Sequence, residues 1–274
     1  ETLRTEVMAG HTVPETRVWI RLPYGNDPGG MFTVLPRTPL IESLKKRVTV
    51  FLDATAYVPV MDRLFNGELT VHPIPVQPNM QVHFFGDALY RWQDLKDNLW
   101  RWNTLQHDIH RKCARFNHVL VIGEYAAEEE LQAILPPNAE LEHWFSGEMA
   151  GSNRYEDCDA MICIGHPREP VDELVYRLAA LRWPDALAGA LPDERPDLFA
   201  SEDILVPVAG FRDTKGRRWG RIIPYPADPE LQHYARHRYA TTITQAAGRI
   251  RPATLGTPKQ LFLYIGEPAQ EMPV

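Results

Sequence analysis

Apolar residues fall along this chain in two rhythms. Residues 48–53 (VTVFLD), 118–122, 141–145, 159–164 and 260–266 are short, nearly continuous apolar runs. That is the pattern of parallel strands buried on both faces. Residues 126–135, 171–183 and 228–250 carry apolar positions three and four apart, as helices with one buried face do. Strand and helix alternating at this length predict an α/β fold, a parallel sheet with helices on both faces. The longest helical pattern in the first half opens at Asp87 and runs through Leu95, Leu99, Leu105 and Ile109 to Cys113. Trp92 and Trp102 lie on its apolar stripe. Trp100 lies off it and is better placed for a contact surface.

The rhythm breaks in three places. Residues 1–47 are weakly patterned, with a short strand at 16–22 and a turn-rich YGNDPGG at 24–30. Pro73, Pro75 and Pro78 rule out an uninterrupted central strand and place a domain boundary near residues 72–80. The stretch 184–226 begins Pro/Asp/Ala-rich, passes an apolar segment at 204–208 and ends in FRDTKGRRWGRIIPYP, a predicted hairpin around Lys215 and Gly216. Arg212, Lys215, Arg217, Arg218 and Arg221 surround Trp219 there. Basic side chains bracketing an aromatic suit phosphate contacts plus base stacking, although a solvated hairpin has the same composition.

Charge narrows the partners. The net charge of -7 argues against a protein that coats nucleic acid with its whole surface, but not against a local basic groove. Residues 210–260 hold ten Lys or Arg against three acids, whereas acids gather at 128–130 and 192–203. No apolar run approaches a membrane span in length. Cys113, Cys158 and Cys163 form no CxxC pair, which fits reduced thiols in a cytoplasm. His107 and His110, and likewise His233 and His237, lack the further ligands of a zinc site. No metal ligands are assigned.

The sharpest chemistry lies at residues 241–252, TTITQAAGRIRP. Gln245, Gly248, Arg249 and Arg251 fall at or near the exposed end of the last helix, which Pro252 stops. Two arginines within a turn, beside a glycine that admits a close neighbour, make a fork for planar anions. A solvated basic helix end, favoured by the helix dipole, is the plainer account. Two other segments bear on the choice. LDATA, with Asp53 and Thr55, ends the 48–53 strand, where those two residues could simply cap the next helix. SGEMAGSNRYEDCD, at 146–159, is a polar loop whose amides could face a phosphate or serve the fold alone.

The Gln-x-x-Gly-Arg-x-Arg order before a last apolar strand resembles the arginine-finger motif of superfamily 2 helicases, in their C-terminal RecA-like motor domain. The likeness is to phage and plasmid helicases and primase-helicases. Their second arginine commonly stands one position later, where this chain has Pro252. LDATA looks like the family's Ser-Ala-Thr-type motif, and GSNRYEDCDAMICIG resembles its Gly-x-Asn loop followed by an apolar strand.

The resemblance implies a RecA-like fold over residues 76–274, with an insertion at about 184–226 that carries the basic hairpin. Residues 1–75 would be the end of a first RecA-like domain and the linker. It implies ATP-dependent DNA helicase or translocase activity, with Arg249, Arg251 and Gln245 reaching the γ-phosphate. Gly248, Gly151, Asp53 and Thr55 would line the nucleotide cleft. Ser152, Asn153, Arg154, Arg217, Arg218, Trp219 and Arg221 would hold single-stranded or forked DNA. No GxxxxGK[ST] phosphate loop occurs, so ATP and Mg2+ would be bound mainly by an N-terminal RecA-like domain, upstream of Glu1 or on another chain. This chain alone would not hydrolyse ATP. A non-catalytic nucleic-acid-binding or scaffold module is the alternative. A nuclease would need convergent acids and histidines that the sequence scatters.

Overall fold

The computed structural model describes residues 16–21, 31–36, 57–59, 61, 69–72, 78–146, 153–182, 203–212, 218–252 and 257–267. In chain order come β1 (Thr16–Arg21), β2 (Met31–Pro36), β3 (Met80–Phe84), α1 (Trp92–Lys96), α2 (Leu99–Cys113) and β4 (Val119–Gly123). A 3-10 turn at Tyr125–Ala127 leads to α3 (Glu128–Ile134), β5 (Ala139–His143), β6 (Ala160–Ile164) and α4 (Val171–Arg182). Then follow β7 (Asp203–Arg212), β8 (Arg218–Pro226), α5 (Pro229–Gly248) and β9 (Lys259–Tyr264). The chain divides into two units, Glu1–Val71 with Val171–Ser201 and His72–Pro170 with Glu202–Val274. The first contains the antiparallel pair β1–β2 and helix α4. The strand expected at 48–53, the turn at 24–30, and Asp53 and Thr55 lie outside the described residues.

The second unit is built on a five-stranded sheet in the order β3-β9-β6-β4-β5. Every pairing in it is parallel. Side chains along a strand point alternately to opposite faces, and the inner strands use both. Leu120 and Ile122, Met161 and Cys163, Leu261 and Leu263 enter one core. Val119 and Val121, Ala160 and Ile162, Phe262 and Tyr264 enter the other. The first core is closed by Tyr239, Ala240, Ile243, Ala246 and Ala247 of α5, together with Ile250. Leu95 of α1, Leu105 and Ile109 of α2 and Leu131 of α3 close the second. A parallel sheet flanked by helices on both faces is what the apolar runs require.

Helix α5 starts where Asp228 caps it, accepting from the Glu230 and Leu231 amides at 3.0 and 2.8 Å, with Pro229 in the first turn. The continuous helix expected from Asp87 is two helices. Residues 87–91 are not helical, Tyr90 has φ 55°, and Asn98 opens α2 by accepting from the Arg101 amide at 3.1 Å. Trp92 and Trp102 still meet edge to face at 5.4 Å across the break, which is why the apolar stripe reads through it. Trp100 is exposed. Strand β5 starts two residues earlier than its apolar residues indicate, and Glu142, its fourth residue, is buried and bonded by Tyr155 and Ser146.

The order of the strands reverses between β4 and β6. After β4 the chain leaves for β5 on one side, and after β6 it leaves for β9 on the other. Such a reversal opens a crevice at the carboxyl ends of the two strands. Glu124 fills it. Its Oε2 accepts from the Trp92 amide at 3.1 Å and its Oε1 from the His166 amide at 3.3 Å. Gly165, at φ 105°, admits that carboxylate, since a Cβ there would stand 2.8 Å from Glu124 Oε1.

Candidate functional site at the amino edge

The glutamine–arginine segment and the asparagine loop arrive at the same place. The segment after α5 feeds β9 and the turn at residues 153–159 feeds β6, so both lie where these parallel strands begin. Backbone bonds tie this edge together. The Asn79 amide donates to Pro252 O at 2.8 Å, the Lys259 amide to Asn79 O at 3.0 Å, and the Asp159 amide to His118 O at 2.9 Å. The Lys259 ammonium donates to the carbonyls of Glu156 and Cys158 at 3.2 and 2.8 Å.

Helix α5 ends at Gly248 rather than running on toward Pro252. The Arg249 amide donates to Ala246 O at 2.9 Å and the Arg251 amide to Gly248 O at 3.1 Å. Arg251 takes φ 47°, the left-handed turn that often closes a helix, there favouring glycine or asparagine. Ile250, fully buried, anchors the segment from below. Gln245, Gly248 and Arg251 are thereby left exposed and Arg249 half-buried. A Cβ built at Gly248 would meet nothing within 4 Å. The glycine leaves open space beside the arginines.

The two arginines are not equivalent. Arg251 donates to the Asn153 side chain and lies 3.3 Å from the Glu156 carboxylate through Nε. This contact joins the helix end to the loop across 98 residues of sequence. Arg249 has no ion-pair partner among the described residues, and its buried Nε has no hydrogen-bond partner. An arginine held on one side, with its fork uncommitted, can accept a planar anion in bidentate fashion.

Arg154 is engaged locally. It bonds Glu140 at 2.8 Å and lies over the Tyr155 ring at 5.4 Å. Burial works to raise the Glu140 carboxyl, but hydrogen bonds from His118 and Arg154 outweigh it and hold it below its ordinary value. Tyr155 is fully buried and donates to Glu142, so the turn has a fixed floor under its exposed Asn153. Burial, reinforced by Glu142, pushes the Tyr155 phenol upward, so it stays a donor.

Gly151, Ser152 and Arg217 lie outside the described residues, as do Lys215 and Gly216. Arg218, Trp219 and Arg221 fall on β8, opposite Arg212, Phe211 and Val208 of the antiparallel partner β7. Among the described residues no three His, Cys, Asp or Glu side chains converge as a metal site requires, and no helix is long and apolar enough to cross a membrane.

A second cluster of ionisable groups lay beyond the reach of sequence reasoning. At the carboxyl ends of β6 and β9, the buried Glu267 accepts from Tyr225 at 2.5 Å through Oε1, and from Arg168 at 3.1 Å and His166 at 3.3 Å through Oε2. Its signal in sequence was slight: Gly-His-Pro-Arg after an apolar strand. No family model, no curated protein and no solved structure matches the chain.

Proposed function

We propose that this chain is the second motor half of a nucleic-acid-dependent ATPase, a helicase or translocase with a RecA-like arrangement. The observation that carries the reading is Arg249. It is a half-buried arginine with an uncommitted fork, next to an open glycine and on the same edge as exposed Gln245 and Asn153. Charge that develops on a transferring phosphoryl group is stabilised by donors already in place, and a preorganised arginine is such a donor. In this account Arg249 and Gln245 reach a γ-phosphate held with Mg2+ on a separate nucleotide-binding domain. Arg251, tied to Asn153 and Glu156, shapes the edge and aligns the Asn153 turn.

The β7–β8 ribbon, with Arg212, Lys215, Arg217, Arg218 and Arg221 around Trp219, is the proposed basic insertion that grips a DNA backbone and stacks on bases. A second reading, a nucleic-acid-binding module without catalysis, draws on the missing GxxxxGK[ST] loop. ATP hydrolysis with and without single-stranded DNA separates the two, measured with the nucleotide-binding half present. Arg249→Ala is expected to lower DNA-stimulated turnover by about 10³-fold or more, the size seen for arginine fingers. Equal turnover in the two proteins, or DNA binding with no nucleotide response, would leave the module reading standing.

A further inference from the structure

The β7–β8 ribbon raises a mechanical question. It is an antiparallel pair outside the main sheet, with Ile204 opposite Tyr225 and Leu205 opposite Pro224. Ile204, Leu205 and Ile222 are exposed. A two-stranded ribbon is marginal on its own, so its direction depends on what holds its base.

Its described side-chain contacts gather at residues 223–226. Ile223 and Tyr225 are buried against Ala235 of α5. Arg168 donates to the Pro224 carbonyl and lies over the Tyr225 ring at 3.9 Å, with Arg236 over the same ring at 4.9 Å. Gln232 donates to the Pro226 carbonyl at 3.3 Å. The Tyr225 hydroxyl, Arg168 and His166 all converge on Glu267, just beyond β9. Tyr239 of α5 donates to the Glu267 carbonyl at 2.9 Å and packs edge to face on His166 at 5.1 Å.

A buried ion pair is weak evidence for stability, because desolvation cancels much of its attraction. Its best-attested use is to specify one arrangement. Here the arrangement specified is the ribbon's seat. Three donors from two segments, β8 and the stretch after β6, must meet one carboxylate, and they can do so with β8 in one position.

The strands that carry this knot also carry the arginine edge. β6 begins after the Asn153 turn and ends just before Gly165, His166 and Arg168. β9 begins after Arg251 and ends before Glu267. The two are paired in register from Ala160 opposite Gln260 to Ile164 opposite Tyr264. Five residues of strand, about 17 Å, separate the two ends.

We infer that Glu267 is a positioning residue: with Arg168 and Tyr225 it locks the base of the β7–β8 ribbon to the ends of β6 and β9, and so links the ribbon's position to the arginine edge. The locking stands on the contacts alone. The link to turnover rests on the motor reading proposed above.

The test has two arms, so that the two statements fail separately. In the first, spin labels are placed at Ile222→Cys on β8 and His107→Cys on α2, both exposed positions. The native Cys113, Cys158 and Cys163 are buried, and burial raises their thiols, Cys113 to about 11 and Cys158 to about 12, so the introduced thiols react first. A narrow distance distribution is expected in the parent and one at least about twofold wider in Glu267→Gln. Tyr225→Phe keeps the ring under Arg168 and removes one donor. It is expected to widen the distribution less, and it serves if Glu267→Gln folds poorly. Unchanged widths in both would overturn the locking.

In the second arm, Glu267→Gln is expected to lower DNA-stimulated ATP turnover about tenfold. Unstimulated turnover, and affinity for a labelled single-stranded oligonucleotide, should stay within about twofold. Stimulation equal to the parent's, with a widened distribution, would overturn the link and keep the locking. Absence of ATP turnover in the parent itself would remove the motor reading and the link with it, while the label distances still decide the locking.

Discussion

The two edges of one sheet solve opposite problems. At the amino edge the charged groups are exposed or half-exposed, loosely paired, and one arginine is left over. Arg154 pairs with Glu140 and Arg251 with Glu156, while the half-buried Arg249 has no partner at its Nε. At the carboxyl edge the reverse holds. Glu267 is buried, and its two carboxylate oxygens take three donors from His166, Arg168 and Tyr225. The buried Glu267 carboxylate is paired through both oxygens, because an unpaired charge in a low-dielectric interior is costly, although Arg168 Nε and Arg236 Nε beside it are buried without a hydrogen-bond partner. The same sheet thus carries exposed charges at one end and a buried, paired carboxylate at the other.

The largest effect that sharpens this contrast is on stability. Glu267→Ala strands the Arg168 guanidinium beside Tyr225, and truncating one partner of a buried pair typically costs about 3–5 kcal/mol. Glu140→Ala at the amino edge removes an exposed pair and is expected to cost at most about 1 kcal/mol. Urea unfolding followed by circular dichroism compares the two. Similar losses would mean that the edges do not differ in kind.

Acid should find the carboxyl edge first. Burial holds the His166 imidazole below its ordinary 6.5 despite Glu267 beside it. The unfolded chain therefore binds that proton before the folded one does, and the stability is fully present above pH 6.5 and lost as the pH falls below it. Burial works to raise the Glu267 carboxyl, but its three donors hold it below 4.5, so a second loss follows below that value. Tm measured from pH 7.5 to 5 is expected to fall, and His166→Gln to flatten the slope. A slope unchanged by His166→Gln would assign the acid response elsewhere.

A smaller effect tests whether burial alone explains the knot. Lys112 is also buried, bonded to Asp108 at 2.5 Å and to the Tyr264 hydroxyl at 2.6 Å, with Phe85, Phe262 and Tyr264 around its ammonium. Burial disfavours that charge, and Asp108 retains Arg111 and Tyr264 when the lysine is gone. Lys112→Met is expected to change stability by no more than about 1 kcal/mol, in either direction. A loss as large as that of Glu267→Ala would show that any buried charge in this sheet is equally costly to remove.

The fold was legible because the inner strands are apolar on both faces. Runs such as VLVIG in β4 and AMICI in β6 have few other homes than the middle of a parallel sheet. The break between α1 and α2 was hidden, since Trp92 and Trp102 sustain the helical period across Asn98. β5 was misplaced by two residues because Glu140 and Glu142 read as polar when one of them is the buried partner of Tyr155.

At the site, the groups could be named in advance: Gln245, Gly248, Arg249, Arg251, Asn153 and Arg154 all come to the amino edge. Their unequal commitments could not, because they depend on contacts such as Arg251 with Asn153 over 98 residues. Glu267 was invisible for the same reason. Its partner His166 is 101 residues away, and a lone Glu near a chain's last strand carries no pattern.

In the proposed motor, Arg249 alone of the three amino-edge arginines has a guanidinium fork left for a nucleotide. Single-turnover and steady-state ATP hydrolysis on Arg249→Ala and Arg251→Ala, with the nucleotide-binding half and saturating single-stranded DNA, tests it most directly. The account predicts about a 10³-fold loss in kcat for Arg249→Ala and a loss of about tenfold or less for Arg251→Ala, whose present bonds are to Asn153 and Glu156. A larger loss for Arg251→Ala, or no loss for Arg249→Ala, would contradict it.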